Sequence, residues 1–495
     1  MVWIFHLLGK MGRLRIMKII HHLLLYFCLC AGAWTESRPN FVVFLCDDLG
    51  YGDLACYGHP HIKTSNLDRM AREGIRFTDF YSAAPVCSPS RVGLLTGRSP
   101  NRAGVYDWIP GNARPRPDAR EQVHMRKSEV TIAGLLKRAG YTTCVSGKWH
   151  CNAQFNRETQ AQPNHAGFDH WFATQNNASP SHANPMNFVR NGENVGRLKG
   201  YSCQLVVDEA ISWLDNRQQA KDTRPFFLYV AFHEPHEPVA SPENLVEQYV
   251  DVARNRKEAE YFANVHNIDA AVGKLLKRLD ELGESKNTLT IFTSDNGPET
   301  LSRYAGAGRS YGTPAPLRGM KLWTTDAGFR VAGIMRWPGT IKPAQVSATP
   351  ISSLDFLPTF CALAKVSMPD DREFDGINFM SALNGNGLAR EKPLLWIYYN
   401  AINERRVAMR DGDWKVLAKV DLPKIQNVHD GNIEKVKAAG LSDVQIFKVS
   451  EDIGESRDVS VEEPEKANAL TNKLGKEYRA LRDDSHVWTR AGVRK

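Results

Sequence analysis

Four short apolar runs, each ending in a polar cluster, constrain most of what this chain can fold into. "NFVVFL" at 40–45 leads into Cys46, Asp47 and Asp48, and "YTTCVS" at 141–146 leads into Gly147, Lys148, Trp149 and His150. "PFFLYVAF" at 225–232 leads into "HEPHEP", and "TLTIFTS" at 288–294 into Asp295, Asn296 and Gly297. Each run is rich in β-branched and aromatic residues and only four to eight residues long, the pattern of a strand covered on both faces. Helical patterns lie between them: "TIAGLLKRAG" at 131–140, "CQLVVDEAISWLDNRQ" at 203–218 and "NIDAAVGKLLKRLDELG" at 267–283. This alternation specifies an α/β fold with a large central, mostly parallel sheet sandwiched by helices.

In such sheets ligands bind beyond the carboxyl ends of the strands. A single Asp-Asp or Asp-Asn pair there is explained by capping of the next turn. Four polar endings at once point to one shared crevice. After about residue 383 the pattern changes to short strands in "PLLWIYYN", "ERRVAMRDGDWKVLAKV" and "VQIFKVSED", then a polar helix over 461–482. We therefore expect a catalytic domain over 38–383 and a smaller C-terminal α+β domain over 384–495, with a small antiparallel sheet and a helix.

The N-terminus, "MKIIHHLLLYFCLCAGAW" from Met17, has a positive start, an apolar run over 23–29 and a small-residue stretch at 31–33. It reads as a signal peptide over 1–33, with Met17 a candidate start and a secreted or periplasmic product. The run is too short for a stable membrane span. Half of the net charge of +8 comes from Lys10, Arg13, Arg15 and Lys18 in this leader. The rest is too mild for nucleic acid, and no basic block is interleaved with aromatics. Of nine cysteines, Cys28 and Cys30 leave with the leader. No C-x-x-C pair exists, which disfavours a thiolate metal site. Setting Cys87 apart, Cys46, Cys56, Cys144, Cys151, Cys203 and Cys361 read as buried free thiols.

Asp47, Asp48, Asp295 and Asn296 are hard oxygen ligands, suited to Ca²⁺ or Mg²⁺ rather than zinc. Arg91, Lys148 and Lys321 add positive charge, so the expected guest is an anion held against the metal. His150 and His236 are candidates for proton transfer. Cys87, in "PVCSPSR", lies just before "RVGLLTG", which reads as the start of a helix whose N-terminus favours an anionic neighbour. These residues reach metal-assisted hydrolysis of an anionic ester with position 87 as nucleophile.

"CSPSR" resembles the C-x-P-S-R signature of the type I sulfatases, formylglycine-dependent members of the alkaline phosphatase superfamily. "NFVVFLCDDLGYGDLACYG", "RVGLLTGR", "SGKWH", "GFDHWF", "HEPHEP", "SDNGPE" and "LRGMK" with "GFRVAGIMRWPG" follow in the family's order. The resemblance runs from residue 39 to about 339, and "RVAMRDGDWKV" is similar to the family's C-terminal sheet. It implies an alkaline phosphatase-like fold and conversion of Cys87 to formylglycine by a dedicated generating enzyme. It also implies one calcium ion bound by Asp47, Asp48, Asp295, Asn296 and residue 87. One hydroxyl of the hydrated aldehyde would attack sulfur while Lys148, Lys321 and the metal hold the sulfate oxygens. His236 would protonate the leaving oxygen, with His233 a competitor for that role. His150 would take the proton from the second hydroxyl, and Arg91 would hold residue 87. Departures at Cys151-Asn152, Asp326-Ala327 and Ala332-Gly333 bear on local loop shape.

The resemblance makes a sulfated saccharide the expected substrate partner. "SPSHANPMNFVRNGENVG" is similar to bacterial carbohydrate sulfatases of the N-acetylgalactosamine-6-sulfatase kind. Asp107, Trp108, His124, Asn177 and His182 are the candidate sugar contacts. Alternatives are a phosphodiesterase or phosphonate hydrolase of the same superfold, and a non-catalytic carbohydrate-binding relative.

Overall fold

The computed structural model describes residues 38–111 and 123–489; the expected signal peptide lies outside the described residues. The four apolar runs are strands. They are β1 (Asn40–Asp47), β3 (Thr142–Lys148), β7 (Phe226–Pro235) and β8 (Thr288–Ser294). The sheet also takes in β2 (Ile75–Tyr81), β4 (His170–Thr174), β5 (Val189–Arg190), β6 (Glu193–Asn194), β9 (Arg330–Arg336), β10 (Gln345–Ser347) and β11 (Ile351–Ser352). Its order is β10-β2-β9-β8-β1-β7-β3-β4-β5-β6, with β11 beside β2. Strands β8, β1, β7, β3 and β4 are mutually parallel, whereas β9 runs antiparallel to β8 and β2. The carboxyl ends of β1, β3, β7 and β8 therefore open on one edge.

β1 is buried along its whole length because helices cover both faces. Phe41, Val43 and Leu45 face one core with the helices Cys87–Thr96, Ile132–Arg138 and Phe356–Ala364. Val42, Phe44 and Cys46 face the other, against Ser65–Arg72, Ser202–Gln219 and Arg256–Glu281. This alternation is the two-residue period of a strand. The last of these helices starts well before the apolar pattern at 267–283, because Asn255 caps it by accepting from the amides of Lys257 and Glu258.

β12 (Leu394–Ile397), β13 (Arg405–Asp411), β14 (Trp414–Val420) and β15 (Leu441–Lys448) form a separate antiparallel sheet in sequence order. The helix Pro464–Asp483 buries Leu470, Leu474, Tyr478 and Leu481 against it. From Pro39 onward the described chain forms one compact unit. Among the described residues all seven cysteines are free thiols, six buried and Cys56 half-buried. No described helix is long and apolar enough to cross a membrane.

Candidate active site

Each strand carries its polar ending to the same place. Asp47 is the last residue of β1, and Asp48 follows it in the left-handed region at φ 66°, which redirects its side chain. Lys148 ends β3, and His150 likewise has a positive φ of 50°. Asp295 and Asn296 leave β8 through a turn where glycine is required. A Cβ on Gly297 would stand 1.7 Å from the Ala327 carbonyl oxygen. Cys87 is the first residue of the Cys87–Thr96 helix, earlier than the expected start at "RVGLLTG", and no side chain caps that end.

Cys87 Sγ lies 3.2 Å from Asp47 Oδ1 and 3.9 Å from Asp48 Oδ1. Ligand atoms of Asp47, Asp48, Cys87 and Asp295 all fall within 4.8 Å of one another, and all four residues are buried. Asn296 donates its amide to Asp48 Oδ1 at 2.7 Å, which leaves its own Oδ1 buried without a partner. Three converging carboxylates, with an orphaned amide oxygen on the Asn296 that bonds to one of them, fit a hard divalent cation. Three cations surround the cluster. Arg91 donates to Asp295 at 2.9 Å and to the Lys148 carbonyl at 3.0 Å. Lys148 Nζ donates to Asp47 at 2.6 Å and to Asn177 Oδ1 at 3.1 Å. Lys321 Nζ donates to Asp48 at 2.7 Å.

The crowding sets the protonation states. Burial pushes Asp48 up to about 6 against the pull of Lys321, and Asp295 up to about 7 against Arg91. Burial acts on Asp47 as well, but Lys148, His236 and Arg91 hold it well below the usual carboxylate range. Burial, with Asp47 beside it, pushes the Cys87 thiol well up, so it is not a thiolate at neutral pH. Burial disfavours charge on Lys321, yet Asp48 and the acids around it keep its ammonium protonated.

Burial and then Lys148 hold His150 well below the usual histidine range, so its ring is neutral. Its Nε2 donates to the Ile109 carbonyl at 2.9 Å, which makes Nδ1 the acceptor, buried and without a partner. His236 Nδ1 donates to the Glu237 carbonyl at 2.6 Å, placing Nε2 3.5 Å from Asp48 Oδ2. Burial and then Lys321 push this ring down to about 3.

A cavity of about 470 Å³ opens above the cluster, and Cys87, His150, His236 and Lys321 line it. Asp107, Trp108 and Asn177 line it too. The Asp107 carboxylate accepts from the Tyr398 hydroxyl at 2.9 Å and the Asn400 amide at 2.8 Å. His124 and His182 do not line it, and these two expected sugar contacts are corrected. His124 stands half-buried with its Nδ1 on the Met125 carbonyl and its ring edge against Trp488. His182 is wholly enclosed, with Nδ1 3.2 Å from the Asn264 amide. His233 is also enclosed, its Nε2 2.7 Å from Thr174 Oγ1, so of the two competing histidines only His236 reaches the cavity.

Sequence reasoning did not single out Glu299, Arg303, Tyr304, Tyr398, Asn400 or Gln426, which complete the walls. Tyr398 and Asn400 close "PLLWIYYN", a further apolar run with a polar ending, and that signal was available. Of the unusual residues, Cys151 and Asn152 face inward. Cys151 Sγ lies 3.3 Å from the Trp149 carbonyl and Asn152 donates to the Ala161 carbonyl at 2.9 Å.

The profile of the family described as Sulfatase matches residues 39–366, and that of N-sulphoglucosamine sulphohydrolase, C-terminal, matches 320–433. The chain is 37% identical to N-acetylgalactosamine-6-sulfatase of Rattus norvegicus over 392 residues, covering 76% of this chain and 70% of that protein. It is 35% identical to arylsulfatase A of Homo sapiens over 416 residues, 79% and 77% of the two chains. The solved structure of Ps i-CgsB in complex with k-i-k-neocarrahexaose superposes with a TM-score of 0.75 at 26% identity, covering 92% of this chain and 96% of that one. With a strand-end acidic cluster, a helix-start cysteine and this extent of match, the chain belongs to the sulfatase family and is a sulfuric ester hydrolase.

Proposed function

We propose that this chain removes sulfate from a sulfated saccharide through a formylglycine made from Cys87, beside a calcium ion held by Asp47, Asp48, Asp295, Asn296 and residue 87. The observation that carries this reading is the convergence of Asp47, Asp48, Cys87 and Asp295, with Asn296 hydrogen-bonded to Asp48, beside a cavity that Cys87, Lys321, His150 and His236 line. The saccharide class is supported by the N-acetylgalactosamine-6-sulfatase relative and by the neocarrahexaose in the solved neighbour. The N-terminal leader pattern supports export to the periplasm or the medium after removal of residues 1–33.

Calcium would supply a fixed double positive charge for the sulfate oxygens, and formylglycine a geminal pair of hydroxyls. A plain thiol at position 87 would lack the second hydroxyl from which sulfate could be eliminated. Lys148, from its place on Asp47, and Lys321, from its place on Asp48, hold sulfate oxygens, and Arg91 fixes Asp295 and thereby the floor. His150 accepts a proton at Nδ1, the nitrogen its Ile109 contact leaves free. His236 gives a proton to the leaving oxygen. Burial and Lys321 keep its ring neutral, and the negative charge of a bound sulfate ester favours proton uptake at Nε2. Asp107, Trp108 and Asn177 contact the sugar. Residues 38–383 form the catalytic part, and 384–495 a C-terminal part that adds Tyr398, Asn400 and Gln426 to the wall.

The test is co-expression with a formylglycine-generating enzyme, followed by desulfation of a panel of defined sulfated saccharides. Sulfate release from at least one is expected, and phosphate esters of the same alcohols should react far more slowly. An aldehyde at position 87 by mass spectrometry with no release from any saccharide overturns the substrate class. Faster release of phosphate overturns the ester class.

A further inference from the structure

A second set of charges is buried where the small sheet meets the large one. Lys415 on β14 is fully enclosed, pairs with the Asp326 carboxylate and stands 3.3 Å from Glu455. Asp326 also accepts from Arg330 and from the Tyr81 hydroxyl, each at 3.2 Å, while its amide donates to Glu455 at 2.7 Å. Arg330 and Arg410 share Asp79. Ion clusters at such depth give up hydration that apolar packing would not, so stability alone does not account for this one. What it holds in place is the short Asp326–Phe329 helix, and the loop before that helix carries Lys321.

Several further contacts tie this helix to the cavity floor. Gly297, which follows Asp295 and Asn296, donates to the Gly328 carbonyl at 3.0 Å, and Lys321 donates its amide to the Pro298 carbonyl at 2.9 Å. Trp396 of β12 stacks on Phe329 with centroids 4.1 Å apart and donates its indole N–H to the Ser82 carbonyl at 2.9 Å. The Ser82 amide donates to Phe329 and the Leu322 amide to Pro85, at 2.7 and 2.8 Å. The strand-to-helix segment leading into Cys87 and the loop of Lys321 thus rest on one platform. Lys415 lies under it, its Nζ 4.5 Å from the Phe329 ring centroid.

We infer that Lys415 is a positioning residue for the sulfatase reaction: from the small sheet it locks the Asp326–Phe329 helix and so sets where the Lys321 ammonium stands relative to residue 87. The inference rests on the reading that Lys321 holds the sulfate group. A displacement of about 1 Å in such a group lowers turnover up to about 100-fold.

The experiment is a double-mutant cycle on the aldehyde-bearing enzyme, with 4-nitrophenyl sulfate as probe, well below each variant's melting temperature. Lys415→Met is expected to lower kcat about 10- to 100-fold with KM changed by less than about 3-fold, and Lys415→Arg to recover most of the loss. In a Lys321→Ala background Lys415→Met should cost nothing further, because the residue it positions is gone. A folded Lys415→Met enzyme with normal kcat, or losses that multiply in the double variant, overturns the inference. An unaffected Lys321→Ala enzyme overturns the reading of Lys321 and the inference with it. If Lys415→Met does not fold, the charge-balanced Lys415→Met/Glu455→Gln variant takes its place in the cycle with the same expected outcomes.

Discussion

Two clusters in this molecule bury three carboxylates with three cations, and they are arranged in opposite ways. At the interface of the two sheets, Asp79, Asp326 and Glu455 interleave with Arg330, Arg410 and Lys415, so that each acid contacts a cation, directly or shared. At the cavity floor, Asp47, Asp48 and Asp295 converge with Cys87 on one point, and Arg91, Lys148 and Lys321 stand around the outside. Each cluster mixes the two directions. Burial raises Asp326, but Lys415, Arg330 and Arg410 pull it far below the usual range, and burial raises Glu455 beside it. At the floor burial acts on Asp47 too, but Lys148, His236 and Arg91 hold it down, while burial raises Asp48 and Asp295 to about 6 and 7. Interleaved charges face one another, whereas carboxylates converging on one point present the donor set a hard cation prefers. Buried charge by itself therefore does not mark an active site. Convergence of like charge beside orphaned atoms and a cavity does.

The largest effect that sharpens this contrast is on chemistry. Cys87→Ala should abolish sulfate ester hydrolysis, by at least about 1,000-fold in kcat/KM, with little change in melting temperature. Retained activity in the purified variant would remove residue 87 from the reaction. Asp326→Asn should act on stability as well as turnover, costing about 3–5 kcal/mol in denaturant unfolding because Lys415 is left facing a neutral group. The folded Asp326 carboxyl lies below its unfolded value. Its contribution is therefore complete above the ordinary carboxylate pKa and is lost as pH falls below it. The Asp326→Asn deficit should shrink in strong acid.

Calcium separates the clusters at a smaller scale. An ion present at 100 times its dissociation constant should stabilise the metal-free protein by about 2.7 kcal/mol, read as a rise in melting temperature. Asp48→Asn should lose that rise, and an equal gain in the variant would place the ion elsewhere. The smallest effect belongs to a half-exposed ion cluster at the sheet's far edge, where Arg190 and His170 hold Glu209. Burial raises Glu209, but these two partners bring it down to about 2. Glu209→Gln should cost only about 0.5–1 kcal/mol at pH 6, and the difference should vanish as pH drops from the ordinary glutamate value toward 2. A loss as large as that of Asp326→Asn would show that depth does not govern the difference.

The strands that build the floor were legible because each is apolar along its length and turns polar at its end. β2 and β9 were not singled out. "IRFTDFY" mixes charge into a strand whose alternate residues are half-buried, and β9 carries Gly333 and Ala332, which have weak strand preference. Both become strands because they pair with each other beside β8. His124 and His182 illustrate another limit. A histidine in a polar loop looks available, and only the packing of the Arg256–Glu281 helix, which puts Asn264 on His182, shows that this one is enclosed.

The sequence by itself determined the α/β sheet, the edge on which the site lies, and the acids, cations and cysteine that meet there. Those follow from the two-residue period of a buried strand and from the chemistry of the residues just past its end. Only the tertiary structure decided which histidine reaches the cavity, which residues of the small sheet wall it, and that Asp326 and Lys415 form a closed pair rather than a second site. Such decisions depend on contacts between residues distant in the chain, and periodicity along a strand or helix carries no information about them.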